Sequence, residues 1–524
     1  MFNTPGSLLI SSLTAISSLA WAADVAGTLQ LDFAVERTSR VLNHRYGHLR
    51  RRAVAGTEEV TLQNELTYYN VEITLGTPAQ SFNVLIDTGS SDLWVISNQN
   101  PYCSSSSSSS SISSDSTFDC STSGTFDSSA SSTFNKNNSD FYIKYGDGTV
   151  SEGDWATDTF SMGNITIDNM SFGLGSLTNS TIGILGVGYA ANEASVAITN
   201  NAYTYRNLPL RLVDSGYINT PAYSLWLNDL NAETGSILFG GVDHAKYSGS
   251  LQTVPVLKSS SSKQYSAFLV ALTEISLSSS GDNTVTTLLN DSPIQALLDS
   301  GTSLSYFPQS LANELIVNQL EGSYVSSLGY YVQSCELSGN LTYNFSGANI
   351  VVPLSSILLP LTTDSGRQVY SKGGVPVCII GILPFSSSFA LLGDTFLRNA
   401  YVVYDLQNNQ IGLAQAKLNA TDSNIEAIKS TIPSATQASL YSATSSVAGL
   451  VSATYSNKPR TSIIDGASGT IALGSSTGTA TATATSTSTG KSAATTVLAP
   501  SPFSMVSLMV FSLLFSAGFF CFFI

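Results

Sequence analysis

The 524-residue chain carries 21 Lys+Arg against 36 Asp+Glu, a formal net charge of -15 and a pI near 4.5. That balance makes nucleic acid and anionic membrane surfaces poor partners and favours neutral or cationic ones. Only 11% of residues are charged while Ser, Thr and Gly abound, a composition typical of secreted glycoproteins.

Residues 1–22 hold an apolar run over 8–19 and end Leu-Ala-Trp-Ala, placing small residues at Ala20 and Ala22 for signal cleavage. The leading residues lack a positive side chain, but the run is short for a membrane span. Residues 23–52 reverse the charge, with six Arg, three acids and two of the three histidines, His44 and His48. Everything after Arg52 carries 15 Lys+Arg against 33 Asp+Glu. The basic segment therefore reads as a pro-peptide held partly by charge, a grip that acid weakens. Arg50, Arg51 and Arg52 offer a cut for a kexin-type convertase, with autocatalysis as the other route; an exposed basic linker is the alternative.

The body begins near Thr57. Segments 69–75 and 82–86 alternate as strands, punctuated by Gly76, Thr77 and Pro78. Residues 84–96 then read Val-Leu-Ile-Asp-Thr-Gly-Ser-Ser-Asp-Leu-Trp-Val-Ile, so a strand delivers Asp87 to a tight polar turn. The pattern returns at 296–307 as Ala-Leu-Leu-Asp-Ser-Gly-Thr-Ser-Leu-Ser-Tyr-Phe, with Asp299 in the place of Asp87, 212 residues later. Gly89 and Gly301 allow each turn without a Cβ clash. The Ser90 and Thr302 hydroxyls can donate to the carboxylates, and those of Thr88 and Ser300 can tie the loops together. Two carboxyls about 3 Å apart cannot both ionise, so they share a proton and hold an acid and a base side by side. Activating water against a peptide carbonyl requires that combination.

The two acidic turns resemble those of the pepsin-like aspartic proteases. The resemblance implies an all-β, bilobal fold with a few short helices, pseudo-twofold related lobes and a cleft between them. It extends to Gly183-Ile-Leu-Gly186 and to 390–394, Ala-Leu-Leu-Gly-Asp, which in the family cross beneath the acidic loops. It also includes the inter-lobe link at 235–249 and the closing segment at 391–414, and it spans about 68–416 in all. Before residue 420 few stretches show helical periodicity, and 208–215 and 310–319 show it most clearly.

Residues 142–149 read as a hairpin with glycines at its tip. In the family's order this is the flap, which implies that Tyr145 closes over the substrate and hydrogen-bonds Trp94, with Gly146 and Gly148 giving it freedom. Asp147 at the tip either faces the S1 pocket, favouring Lys or Arg at P1, or merely caps the turn. The Ser-rich stretch 104–132 is expected to be a solvated loop. Outside the apolar tail, which holds Cys521, four cysteines permit three connectivities in an oxidising compartment. Local pairing, Cys103 with Cys120 and Cys335 with Cys378, is expected, and the resemblance implies one bridge per lobe. Sequons stand at Asn137, Asn164, Asn169, Asn179, Asn290, Asn340, Asn344 and Asn419, that at Asn290 weakened by Pro293.

After Lys417 the composition turns to Ser, Thr, Ala and Gly, and 419–491 reads as an O-glycosylated stalk. Residues 503–524 carry no charge and end inside the apolar run. With small residues at 492–494 before a short spacer, 492–524 reads as a GPI signal, with attachment at Ser492 or Gly490. A transmembrane span is the alternative.

The expected domains are thus signal 1–22, pro-peptide 23–52, lobes 53–245 and 246–418, stalk 419–491 and anchor signal 492–524. The organisation resembles the yapsins, fungal surface proteases that cut at basic residues. It implies a monomeric, acid-active aspartic endopeptidase of peptides and proteins, GPI-anchored outside the plasma membrane or passed to wall glucan. No cofactor or metal is expected, because His244 is the only histidine after the pro-region and two bridges consume the cysteines. The alternative is a catalytically silent surface protein that uses the same fold for binding or adhesion.

Overall fold

The computed structural model describes residues 68–445 except 104–118, 198–201, 233–234, 260–262, 280–284, 291, 327 and 363–366, with short strands at 29–30, 52–53, 58–61, 63–64, 464–465 and 470–471. The signal segment, the basic triplet as a whole, the anchor signal with Ser492 and Gly490, and Cys521 lie outside the described residues.

Strands dominate because apolar and polar residues alternate along them: Tyr69–Leu75 buries all but Glu72 and, in part, Thr74. In the first half, strand Gln80–Asp87 runs parallel to Gly183–Gly186, which pairs antiparallel with Leu93–Ile96. The second half repeats this arrangement. Strand Ile294–Leu298 runs parallel to Ala390–Leu392, which pairs antiparallel with Ser305–Pro308 at Tyr306 and Leu391. Leu93–Ile96 and Ser305–Pro308 each take a further parallel partner, Ile165–Thr178 and Ile382–Phe385. The two halves are thus built on one topology. Helix Leu208–Asp214 and the helical run over 309–319 fall where the 3.6-residue periodicity places them.

A seven-stranded sheet joins the halves, combining Glu58–Thr61, Ser236–Phe239 and Ala222–Trp226 with Ala400–Asp405, Gln410–Ala416, Tyr247–Pro255 and Thr436–Gln437. A division at 245/246 therefore falls beside a shared sheet rather than in a linker. On one face Tyr223, Leu225, Val402, Tyr404 and Leu413 join the main core; on the other Ala222, Trp226, Tyr401, Val403 and Ala414 form a second cluster.

That second cluster corrects the stalk boundary. Residues 418–445 do not leave the body at Lys417 but fold across the outer face of the shared sheet. Strand Ile425–Ala427 pairs with Gly241–Asp243, and Thr436–Gln437 pairs with Tyr247–Pro255. Ile428 and Ile432 are buried in the cluster, each contributing about 1.5–3 kcal/mol. Lys246, itself buried, donates from Nζ to Ala420 O at 2.8 Å and lies over the Trp226 ring. His244 bridges Tyr247 and Glu426. A low average hydrophobicity hid these few well-placed anchors.

The Ser-rich stretch needs a similar correction. Cys103 and Cys120 are bonded, as are Cys335 and Cys378. Beyond Cys120 the chain returns to the core instead of remaining solvated: Phe126 is fully buried against Phe82 and Phe172, and Asp127 caps the short helix Ser128–Ala130. One aromatic residue suffices to bury a segment that is otherwise polar. Asn137, Asn169, Asn179, Asn290 and Asn419 are exposed, while Asn164, Asn340 and Asn344 are half-buried. The Asn344 side chain is held by Thr273, Gly347 and Asn349.

Candidate active site

Asp87 ends strand Gln80–Asp87, and Asp299 directly follows Ile294–Leu298. The crossing strands fix both: Val187 N donates to Asp87 O at 3.0 Å and Asp299 N to Leu392 O at 3.1 Å. The side chains are only 4% and 8% exposed. Asp87 accepts from Gly89 N at 2.7 Å and, through its other oxygen, from Ser90 Oγ. Asp299 accepts from Gly301 N at 2.9 Å and Thr302 Oγ1 at 2.7 Å. The two sets of donors match atom for atom.

Thr88 and Ser300 lock the loops to each other. Thr88 Oγ1 accepts from Ser300 N at 2.9 Å and donates to Leu298 O at 3.0 Å. Ser300 Oγ accepts from Thr88 N at 3.2 Å and donates to Ile86 O at 2.9 Å. The glycines serve close approach rather than turn geometry. A Cβ on Gly89 would stand 2.5 Å from Asp299 Oδ1, and one on Gly301 would collide with Asp87 Oδ1. Burial and the neighbouring Asp299 charge push the Asp87 carboxyl well above the usual carboxylate range. The Asp87 carboxyl thus favours its protonated form beside Asp299.

The hairpin between strands Asn135–Lys144 and Val150–Met162 leans over this pair. Trp94 Nε1 donates to Tyr145 OH at 2.8 Å. Burial, followed by the Asp87 charge, raises the Tyr145 phenol well above its normal range. Gly146 and Asp147 are exposed at the tip. Asp147 accepts from Thr149 N at 2.8 Å and Thr149 Oγ1 at 3.0 Å, so the turn-capping role is present in the fold. Its charge is also felt by Tyr306 on the opposite lobe, whose phenol is pushed up to about 12 chiefly by burial, then by Tyr330 and Asp147.

Several buried polar residues near the site went unnoticed in the sequence. Asp92, five residues after Asp87, accepts from Tyr205 OH and Ala194 N, and burial raises its carboxyl to about 6. Glu193 accepts from Tyr205 N through Oε2, has no partner at buried Oε1, and is raised to about 9, again by burial first. Asp394 lies fully buried behind Asp299, with Arg398 Nη2 3.9 Å away. The signal for Asp92 and Asp394 was a carboxylate inside a strongly apolar motif. Glu193 had no such signal. Among the described residues no cluster of His, Cys, Asp and Glu is arranged to hold a metal ion.

Two carboxyls on matched loops, locked by reciprocal hydroxyls and covered by a hairpin, define an aspartic-type peptide hydrolase. The family model described as eukaryotic aspartyl protease matches residues 68–416. The chain is 43% identical over 386 residues to the probable aspartic-type endopeptidase opsB of Aspergillus fumigatus, covering 72% of this chain and 75% of that one. It is 40% identical over 402 residues to aspartic proteinase yapsin-3 of Saccharomyces cerevisiae, covering 74% of each. The aspartic proteinase of Irpex lacteus shares the fold, with a TM-score of 0.54 at 22% identity over 70% of this chain and all of that one. The chain belongs to the eukaryotic aspartyl protease family and is an aspartic-type endopeptidase.

Proposed function

We propose that Asp87 and Asp299 carry the hydrolysis, sharing one proton around a water molecule at acidic pH. The partner acting as base takes a proton from water as its oxygen attacks the scissile carbonyl carbon. The acid partner protonates the carbonyl oxygen, giving a tetrahedral diol. A proton then passes to the nitrogen, the C–N bond breaks, and the diol collapses to a carboxylic acid with the dyad's proton restored. The role of first base belongs to the pair as a unit. Thr88, Gly89 and Ser90, with Ser300, Gly301 and Thr302, support the dyad, while Tyr145, Gly146 and Asp147 belong to the flap and face the substrate with Trp94, which bonds Tyr145. The observation that carries the reading is the reciprocity of the two loops, in which each carboxylate has the same donors and each hydroxyl reaches across. Asp87→Asn or Asp299→Asn in the secreted full chain is expected to lower pepstatin-sensitive casein hydrolysis at about pH 4 to about 1% or less. Retention of most activity in either variant would remove the pair from consideration.

Basic residues at P1 are the proposed preference, supported by an exposed Asp147 at the flap tip whose charge reaches Tyr306 across the cleft. The proposed setting is the cell surface, with 492–524 replaced by a GPI lipid and wall glucan as a further destination. No helix among the described residues is long and apolar enough to cross a membrane.

A further inference from the structure

The flap's second arm is pinned by side chains from outside the hairpin, chiefly that of Asn179. Asn179 follows strand Ile165–Thr178, whose last pair with the flap strand is Thr178 with Ser151. Where that ladder ends, the Asn179 carboxamide continues it. Its Oδ1 accepts from Val150 N at 2.8 Å and its Nδ2 donates to Gly148 O at 3.2 Å. Val150 O is gripped from the same place, by Thr178 Oγ1 at 2.8 Å and Asn179 N at 3.4 Å.

The support is itself rigid. Asn100, fully buried beside Cys103, donates to Thr178 O at 3.1 Å and accepts from Thr178 N at 3.3 Å. The residue being held is the joint of the flap. Gly148 has φ +91, and a Cβ there would meet nothing within 4 Å, so backbone freedom rather than packing explains the glycine. A hinge that must move needs one fixed side, and Asn179 supplies it two residues from the moving tip.

We propose that Asn179 is a flap-positioning residue, its carboxamide fixing the hinge at 148–150 and so setting where Tyr145 lies over the two carboxylates. The inference rests on the reading of this hairpin as the flap. The same asparagine opens the sequon Asn179-Ser180-Thr181, so a glycan on Nδ2 would replace one of the two amide hydrogens available to the clamp.

Four full-length forms test the clamp: wild type, Asn179→Ala, Asn179→Asp and Thr181→Ala. Asn179→Ala is expected to lower kcat/KM about tenfold and to weaken pepstatin binding in proportion. Amide exchange at Val150 should rise, with Tm almost unchanged because the side chain is exposed. Thr181→Ala removes the sequon but keeps the carboxamide and should stay within about twofold of wild type. Asn179→Asp keeps the acceptor for Val150 and loses the donor to Gly148. Its deficit relative to wild type should shrink below about pH 4, where a protonated carboxyl can donate again. An Asn179→Ala enzyme with wild-type kcat/KM and pepstatin affinity would overturn the proposal, as would a Thr181→Ala loss equal to that of Asn179→Ala. If pepstatin leaves exchange at 145–150 unprotected in the wild type, the flap reading fails and this inference falls with it.

Discussion

Thr88 and Ser300 exchange their backbone amides for each other's hydroxyls, at 2.9 and 3.2 Å, so neither acidic loop can shift without the other. The coupling lies directly under the carboxyls and joins residues 212 positions apart. It converts two separate turns into one rigid cradle, and the proposed catalysis by a shared proton would depend on that rigidity.

Thr88→Ala removes an acceptor for Ser300 N and a donor to Leu298 O, leaving both buried without partners. The expected cost is about 2–4 kcal/mol of stability, with kcat reduced more than KM is raised. Ser300→Ala should behave alike, and the double variant should cost less than the sum. Chemical denaturation of the four forms measures this; strict additivity would show that the loops are not coupled.

Stability should fall between about pH 4 and pH 7. Asp92 binds its proton more tightly folded than unfolded, its carboxyl standing at about 6 against 3.8. The stabilisation is complete at low pH and is lost as pH rises from the ordinary carboxylate range through 6, on the order of 3 kcal/mol. Glu193, at about 9 against 4.5, continues the loss to higher pH. Glu193→Gln mimics the protonated acid, keeping an acceptor for Tyr205 N, so its Tm should decline less steeply with pH than that of the wild type. Parallel Tm profiles would mean that Glu193 does not titrate in the fold.

Asp147→Ser tests specificity. If the carboxylate contacts a basic P1 side chain under the closed flap, kcat/KM for Lys or Arg substrates should drop about tenfold relative to Leu or Phe substrates. Serine can still cap the turn, which keeps the hairpin intact. An equal loss for both substrate classes would reduce Asp147 to its bonds with Thr149.

Truncation separates the proposed anchor from the body. Ending the chain after Ser445 should release a stable, active enzyme into the medium. Ending it after Ala416 should expose Trp226, Tyr401 and Val403 and cost several kcal/mol, on the scale of burying two isoleucines. Deleting 503–524 alone should also release the protein. Wild type that fails to incorporate labelled ethanolamine would exclude the GPI reading, and equal stability of the two truncations would make the packed segment dispensable.

What the sequence made legible was local and repeated. Asp87 and Asp299 announced themselves because the same apolar strand and polar turn occur twice, and alternation marked the strands around them. What stayed hidden depended on single anchors in unpromising composition. Phe126 pulls one Ser-rich stretch inward, and Ile428 and Ile432 hold another against the shared sheet. Averaged hydrophobicity cannot register one buried side chain among a dozen polar ones. Asn179 was visible only as a sequon, since its bonds to Gly148 and Val150 cross 31 and 29 positions of chain.

The packed segment at 418–445 also decides where force goes. Within 418–445, tension from the C-terminal side first meets the Thr444–Ser346 hydroxyl contact and the bond from Leu440 N to Ser346 O. It must next release Ala438 N from Thr253 O, then the two isoleucines, then strand Ile425–Ala427. These attachments yield one after another, each dissipating load before the next is strained, and Gln410–Ala416 in the shared sheet comes last. A protease held by its C-terminus against flow would therefore give up its outer wrapping while the cradle beneath Asp87 and Asp299 stayed unloaded.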